Sequence, residues 1–194
     1  MKKFVFGAAC ACLCSFASLS ANASFIVDTG EGAGGGTAVS NGQFIAGQFT
    51  TVSSYTISSV EGWMADSTAG AFGTVVIYEN EGGLPGTELY SAVFEGAGSN
   101  AQWLGADSLS WSLSAGTYWA AFEVRDGQNL NALMPVGVAS PLANYALATP
   151  TIDYFTFNTN SLGFRLAAVP IPGAAWLFGS GLLGLIGMAR RKKA

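Results

Sequence analysis

Two neighbouring stretches decide the fold, Ser108-Leu-Ser-Trp-Ser-Leu113 and Gly116-Thr-Tyr-Trp-Ala-Ala-Phe-Glu-Val124. The first alternates strictly between serine and apolar residues, which is the period of a strand with one buried face. The second alternates less cleanly, and its inward-facing set is predicted to be Tyr118, Ala120, Phe122 and Val124. Both stretches therefore predict strands of an antiparallel sheet.

Further short strands are predicted on both sides of these two stretches. They lie at residues 44–51, 55–64, 73–78, 89–94, 153–157 and 163–167. Turn residues separate several of them, as in Asn80-Glu-Gly-Gly-Leu-Pro-Gly86. No amphipathic helical pattern precedes residue 169. Many short strands at this spacing predict an all-β domain, an antiparallel β-sandwich of jelly-roll type over residues 24–168.

The N-terminal segment has the three-part pattern of a secretory signal peptide. Lys2 and Lys3 precede an uncharged apolar run, and Ala21-Asn-Ala23 then places small residues at the two positions that signal peptidase reads. Removal of residues 1–23 would leave Ser24 as the first residue. All three cysteines lie in this segment, so the mature protein is expected to have neither disulfides nor thiol catalysis.

The C-terminal segment, residues 169–194, carries a second targeting pattern. Its first four residues are Val169, Pro170, Ile171 and Pro172. The uncharged stretch 171–189 would be about 28 Å long as a helix, which matches the hydrocarbon core of a bilayer. The chain then ends in a basic cluster that is expected to stay in the cytoplasm. This cluster comprises Arg190, Arg191, Lys192 and Lys193.

This tail resembles the PEP-CTERM sorting signal of Gram-negative bacteria, which combines a Pro-x-Pro element, an apolar span and a basic end. The stretch Trp176-Leu-Phe-Gly-Ser-Gly-Leu-Leu-Gly-Leu-Ile-Gly187 carries most of the resemblance, whereas Ile171 stands where the family has Glu. The resemblance implies that an exosortase-type enzyme cuts near residues 169–172. It also implies a location, first as a single-pass inner-membrane protein with its N terminus outside, and then at the cell surface or in the extracellular matrix.

The region between the two targeting segments also resembles a known class of domain. Residues 76–87 and 113–119 are similar to a jelly-roll-type sandwich domain that recurs in bacterial surface proteins. This resemblance implies the fold, but it implies no particular activity.

Residues 24–168 are strongly acidic. They contain twelve acidic and two basic residues, Arg125 and Arg165, which gives a net charge of −10. Such a surface repels nucleic acid and anionic lipid, so neither is an expected partner. The chain has no histidine, which excludes histidine-based triads and histidine-based metal sites.

Two groups of residues are candidates for ligand binding. Glu79, Asn80 and Glu81 place oxygen atoms on one turn, and oxygen is the ligand that calcium prefers. Trp119, on the outward parity of its strand, and Trp103, beside a loop, are candidates for stacking on a sugar ring. Both groups also have an ordinary interpretation, as solvated loop acids and as core aromatics. No cofactor other than calcium is suggested.

Three functions stay open on these observations. The first is an exported, non-catalytic protein of the cell envelope or exopolysaccharide matrix, with signal peptidase, an exosortase-type enzyme and extracellular polysaccharide as partners. The second is a carbohydrate-binding or adhesion module, which exposed aromatic side chains would favour. The third is a secreted glycoside hydrolase, which needs only two carboxylates. No carboxylate lies in a catalytic motif, so we expect no enzymatic activity.

Overall fold

The protein is all-β. The computed structural model describes residues 24–65, 67–158 and 160–170, and within these ranges every regular element is a strand. The strands are β1 (Ser24–Asp28), β2 (Gly36–Val39), β3 (Phe44–Thr51), β4 (Tyr55–Met64), β5 (Phe72–Glu81), β6 (Leu84–Glu95), β7 (Gln102–Ala106), β8 (Trp111–Leu113), β9 (Gly116–Glu123), β10 (Ala132–Pro135), β11 (Tyr145–Thr149), β12 (Ile152–Thr156) and β13 (Phe164–Pro170).

The strands form two large sheets and one short ladder. One sheet has six strands in the order β12-β11-β3-β9-β5-β6. The other has five, in the order β1-β13-β4-β7 with β8 also paired to β4, and β10 pairs with β2. Every pair of strands is antiparallel. The predicted fold class, all-β with antiparallel sheets, is confirmed.

The main core lies between the two large sheets. Phe122 of β9 and Phe164 of β13 are fully buried, and their ring centroids are 5.5 Å apart across the interface. Burial of a side chain of this size contributes about 1.5–3 kcal/mol to stability. Gly62 of β4 lets the sheets approach closely, because a Cβ there would lie 2.9 Å from the Phe122 ring. The inward set predicted for β9 is confirmed, since all four of its members pack in this core.

A second, smaller core lies on the outer face of the six-stranded sheet. Trp119 packs there among small side chains, and Leu84 and Tyr154 cover it. The β5–β6 hairpin reaches over this face through a two-residue turn, Gly82-Gly83, whose φ angles are 61° and 87°. Positive φ at both central positions fits the twist of a hairpin and favours glycine. Strands β6 and β12, at opposite edges of the sheet, also contact each other, so this face is concave.

Several predicted boundaries differ from the structure. The predicted strand at 108–113 is reduced to β8, and Ser108 has a positive φ of 55° that interrupts an extended chain. The predicted turn at 80–86 is reduced to the two glycines at its centre. Strand β13 extends two residues past the predicted domain end at 168, because Val169 pairs with Thr56 and Pro170 with Tyr55.

The predicted targeting segments lie largely outside the described residues. Residues 1–23, with Ala21 and Ala23, are among those not described, as are Ile171, Pro172 and the basic cluster. Within the described ranges, no helix has the length and apolar character needed to cross a membrane.

Candidate functional site

A concave site lies on the outer face of the six-stranded sheet. It is a cleft of about 540 Å³ between the β5–β6 hairpin and the β11–β12 hairpin, which we call the hairpin cleft. Tyr78 and Glu123 lie at its floor, while Leu84 and Tyr154 belong to its two walls. This volume is within the range of about 300–1,000 Å³ that is usual for small-ligand sites.

A row of three alanines lies in the small core against which Tyr78 and Tyr154 pack. Ala46 of β3 pairs with Ala121 of β9 on one side and with Ala146 of β11 on the other. All three are fully buried and lie on the outer face. Side chains this short leave space above the sheet, and the rings of Tyr78 and Tyr154 fill part of it, with centroids 5.8 Å apart.

Glu123 lies at the centre of the site and is almost completely buried, with 5% of its surface exposed. Its Oε1 accepts hydrogen bonds from the Tyr78 hydroxyl at 2.6 Å and from the Tyr154 hydroxyl at 2.8 Å. Its Oε2 accepts a hydrogen bond from Arg125 Nε at 2.9 Å, and Arg125 Nη2 lies 2.7 Å from Glu88 Oε2. A buried charge is tolerated when it is paired and hydrogen-bonded in this way. We call this arrangement the Glu123 clamp.

The clamp keeps both tyrosines neutral. Burial raises the pKa of Tyr78, and the hydrogen bond to Glu123 raises it further. Burial is also the main cause of the raised pKa of Tyr154, with the Glu123 charge second. The hydrogen bond from Arg125 lowers the pKa of Glu88, although partial burial opposes this effect.

This chemistry indicates a structural role for the clamp. A catalytic nucleophile or base needs an available lone pair and a pKa near the working pH. Both oxygens of Glu123 already accept hydrogen bonds, and a phenol with a raised pKa is a poor nucleophile at neutral pH. The clamp therefore gives no support to the glycoside hydrolase hypothesis.

Trp119 is not available to a ligand. The side chain points outward from β9, as its parity predicted, but its exposed fraction is 0%. The β5–β6 hairpin covers it, and Trp119 Nε1 donates a hydrogen bond to Asn80 Oδ1 at 2.9 Å. The prediction that Trp119 stacks on a sugar is therefore wrong, because a hairpin distant in sequence buries the ring.

The residues predicted as calcium ligands make contacts that hold the β5–β6 hairpin in place. Asn80 Oδ1 accepts a second hydrogen bond, from Gln48 Nε2 at 2.8 Å. Glu81 Oε1 accepts hydrogen bonds from the hydroxyl and the backbone N–H of Thr87, which lower the pKa of Glu81. Glu79, the third candidate, pairs with β9 through its backbone. Within the described ranges, no group of three or more acidic, cysteine or histidine side chains is arranged to hold a metal ion.

Trp103 lies on the outer face of the five-stranded sheet. The guanidinium of Arg165 lies 4.4 Å from the Trp103 ring centroid and 4.8 Å from that of Phe25. Arg165 also makes two hydrogen bonds of 3.0 Å to Glu61. The Trp63 ring packs against Trp103 at 5.4 Å. Trp103 thus has one ring face covered by Arg165, and its role in sugar stacking stays a prediction.

The residues that build the clamp were missed by the sequence analysis. The available signal was Glu123 itself, an acid at the end of the apolar run Ala120-Ala-Phe122. Arg125 is a local partner, two residues after Glu123, but the two tyrosines come from β5 and β12, and nothing local in the sequence indicates that those strands meet there.

The predicted processing residues that fall within the described ranges lie in neighbouring strands. Ser24 begins β1 and pairs with Ala168 of β13, the strand that also contains Val169 and Pro170.

No protein-family model matches the chain, and no curated protein matches it.

Proposed function

We propose that the chain is an exported, non-catalytic protein of the cell envelope or extracellular matrix, sorted by an exosortase-type enzyme through its PEP-CTERM-like tail. Two targeting patterns at opposite ends of the sequence support this proposal, because both place residues 24–168 outside the cytoplasm. The acidic, cysteine-free composition of that region is compatible with this location.

The two targeting patterns carry the proposal, and the pairing of β1 with β13 is compatible with it. Ser24 pairs with Ala168, so the signal peptide and the sorting tail would join the domain at the same end. A domain built in this way can be held at a membrane by either segment without rearrangement of its sheets. The finer fold that we propose is a jelly-roll-type sandwich, supported by the facing sheets and by the insertion of β9 between β3 and β5.

Mass spectrometry of both termini of the protein recovered from the native cell surface tests this proposal. We expect Ser24 as the first residue and a C terminus between Pro170 and Pro172, because the predicted cut lies near residues 169–172 and residues up to Pro170 are paired with β4. An Ala23→Phe change should block N-terminal processing, whereas Asn22→Phe, at the position between the two small residues, should not. Released protein that retains Ala194 would contradict sorting by an exosortase-type enzyme, and surface protein that retains Met1 would contradict the signal peptide.

A carbohydrate-binding role is the second candidate. The hairpin cleft favours it, because the cleft combines aromatic rings with carboxylates, the groups that hold the apolar and hydroxyl faces of a sugar. This role is compatible with the first, since a displayed matrix protein can also bind the matrix.

A further inference from the structure

We propose that the hairpin cleft binds a glycan that carries free amino groups, such as a chain of glucosamine units. This inference rests on the proposed carbohydrate-binding function and specifies the class of sugar.

The charge of the cleft is the first reason. Its charged lining residues are Glu81, Glu123 and Asp153, all carboxylates. Arg125, next to the cleft, is already paired with Glu123 and Glu88. A uronate or sulfate would therefore meet negative charge in the cleft, whereas an ammonium group would be attracted to it.

Asp153 is the carboxylate best placed to receive an ammonium group. It is exposed on the cleft wall, and within the described ranges it takes part in no ion pair. Glu81 lines the cleft from the other hairpin and uses Oε1 for both Thr87 hydrogen bonds. The two walls of the cleft thus each contribute a carboxylate to which an amino group can be attracted.

Apolar groups beside these carboxylates suit the carbon face of a sugar ring. Phe44, Leu84, Ile152 and the two clamp tyrosines line the cleft. Aromatic rings offer an apolar surface to C–H groups and attract a nearby cation. The combination distinguishes this cleft from a purely acidic surface, which would attract any cation.

A second cleft adjoins the hairpin cleft and provides room for a chain of several sugars. It has a volume of about 580 Å³, shares Phe44 with the hairpin cleft, and is also lined by Asn41, Asp126 and Gln128. Arg125 lines it too, with its charge paired to Glu123 and Glu88. Two adjoining clefts with polar side chains along both suit several linked sugars better than a single one.

Isothermal titration of the full-length protein in a neutral detergent tests the class of glycan. The probes are three tetramers, of glucosamine, of N-acetylglucosamine and of galacturonic acid, at low and at high salt. We expect the tightest binding for the glucosamine tetramer, with affinity that falls as salt rises. We expect weaker binding for the acetylated tetramer and none for the galacturonate.

A pair of variants tests the location. Asp153→Asn and Asp107→Asn each remove one negative charge, but Asp107 is an exposed residue that does not line the cleft. We expect Asp153→Asn to weaken glucosamine binding about two- to five-fold, as expected for one solvent-accessible ion pair. Asp107→Asn should bind as the wild type does.

Each other outcome overturns a defined part of the inference. Equal affinity for the glucosamine and N-acetylglucosamine tetramers would overturn amine recognition and leave carbohydrate binding in place. Equal effects of the two variants would show that net charge, and not the cleft, attracts the glucosamine tetramer. Absence of binding to all three tetramers would overturn the cleft as a glycan site, while the termini of the surface protein decide independently whether the chain is exported.

Discussion

Glu123 faces outward from a strand and is nevertheless almost completely buried. Three side chains from β5, β12 and the segment after β9 surround its carboxylate, so a single acid ties together parts of the chain that are distant in sequence. Removal of one partner from such a group leaves a buried polar atom unpaired, which costs about 1–3 kcal/mol. The same coupling makes the clamp sensitive to alkaline pH.

We expect stability to fall above about pH 10, the ordinary pKa of tyrosine. The pKa values of Tyr78 and Tyr154 are raised in the folded protein, so the unfolded chain releases these protons at lower pH than the folded one does. The stabilisation is complete below the unfolded-state pKa and is lost as pH rises through the folded-state pKa. Midpoints of thermal unfolding between about pH 8 and pH 11.5 measure this loss.

Tyr154→Phe should reduce that alkaline loss, because one of the two titrating groups is removed. Tyr55→Phe, a tyrosine on the five-stranded sheet that does not touch Glu123, reports the effect of losing a hydroxyl elsewhere. Identical alkaline slopes for Tyr154→Phe and the wild type would refute the assignment to the clamp.

The β5–β6 hairpin is the element that turns an exposed sheet face into a second core. Its turn depends on positive φ at Gly83, where a side chain costs about 1–2 kcal/mol. We therefore expect Gly83→Ala to lower the stability of the hairpin and to speed amide hydrogen exchange in residues 78–88. Gly35→Ala is the matched control, since a Cβ at Gly35 meets no atom within 4 Å and no positive φ is required there. Equal rates of amide hydrogen exchange in residues 78–88 of the two variants would contradict this role of the Gly83 turn in holding the hairpin over the sheet.

Within the described residues, the longer strands, such as β5 and β9, were predictable at least in part from the sequence, whereas shorter ones, such as β7 and β11, were not. Strands β3 and β4 match their predicted ranges, because apolar residues alternate there. Strand β11, Tyr145–Thr149, is buried on both faces and shows no alternation, so it was missed. Trp119 shows why burial is hard to predict. The sequence indicated that its side chain points outward from β9, but not that the β5–β6 hairpin covers it. The Glu123 clamp could not be predicted because Tyr78 and Tyr154 are distant from Glu123 in the sequence and contact it only in the folded, curved sheet.

For the whole domain, strand β13 joins β1 to the rest of the five-stranded sheet. It pairs with β1 on one side and β4 on the other. We expect residues 24–170 to fold alone with a β-rich circular dichroism spectrum, and residues 24–162, which lack β13, to remain unfolded. Reducing agent should not change the melting temperature of residues 24–170, because they contain no cysteine. Similar melting curves for the two segments would contradict the importance of β13.

For the export that we propose, the neighbouring positions of β1 and β13 would also set the order of events. Ser24 and Ala168 are 144 positions apart in the chain, and closure of a loop of that length costs about 4 kcal/mol of entropy before any contact compensates for it. A chain that crosses a membrane N terminus first cannot complete its five-stranded sheet until its last strand has emerged. For an exported chain, premature folding inside the cell would thereby be disfavoured during synthesis, and the polypeptide would stay suitable for a translocation channel that accepts extended chains.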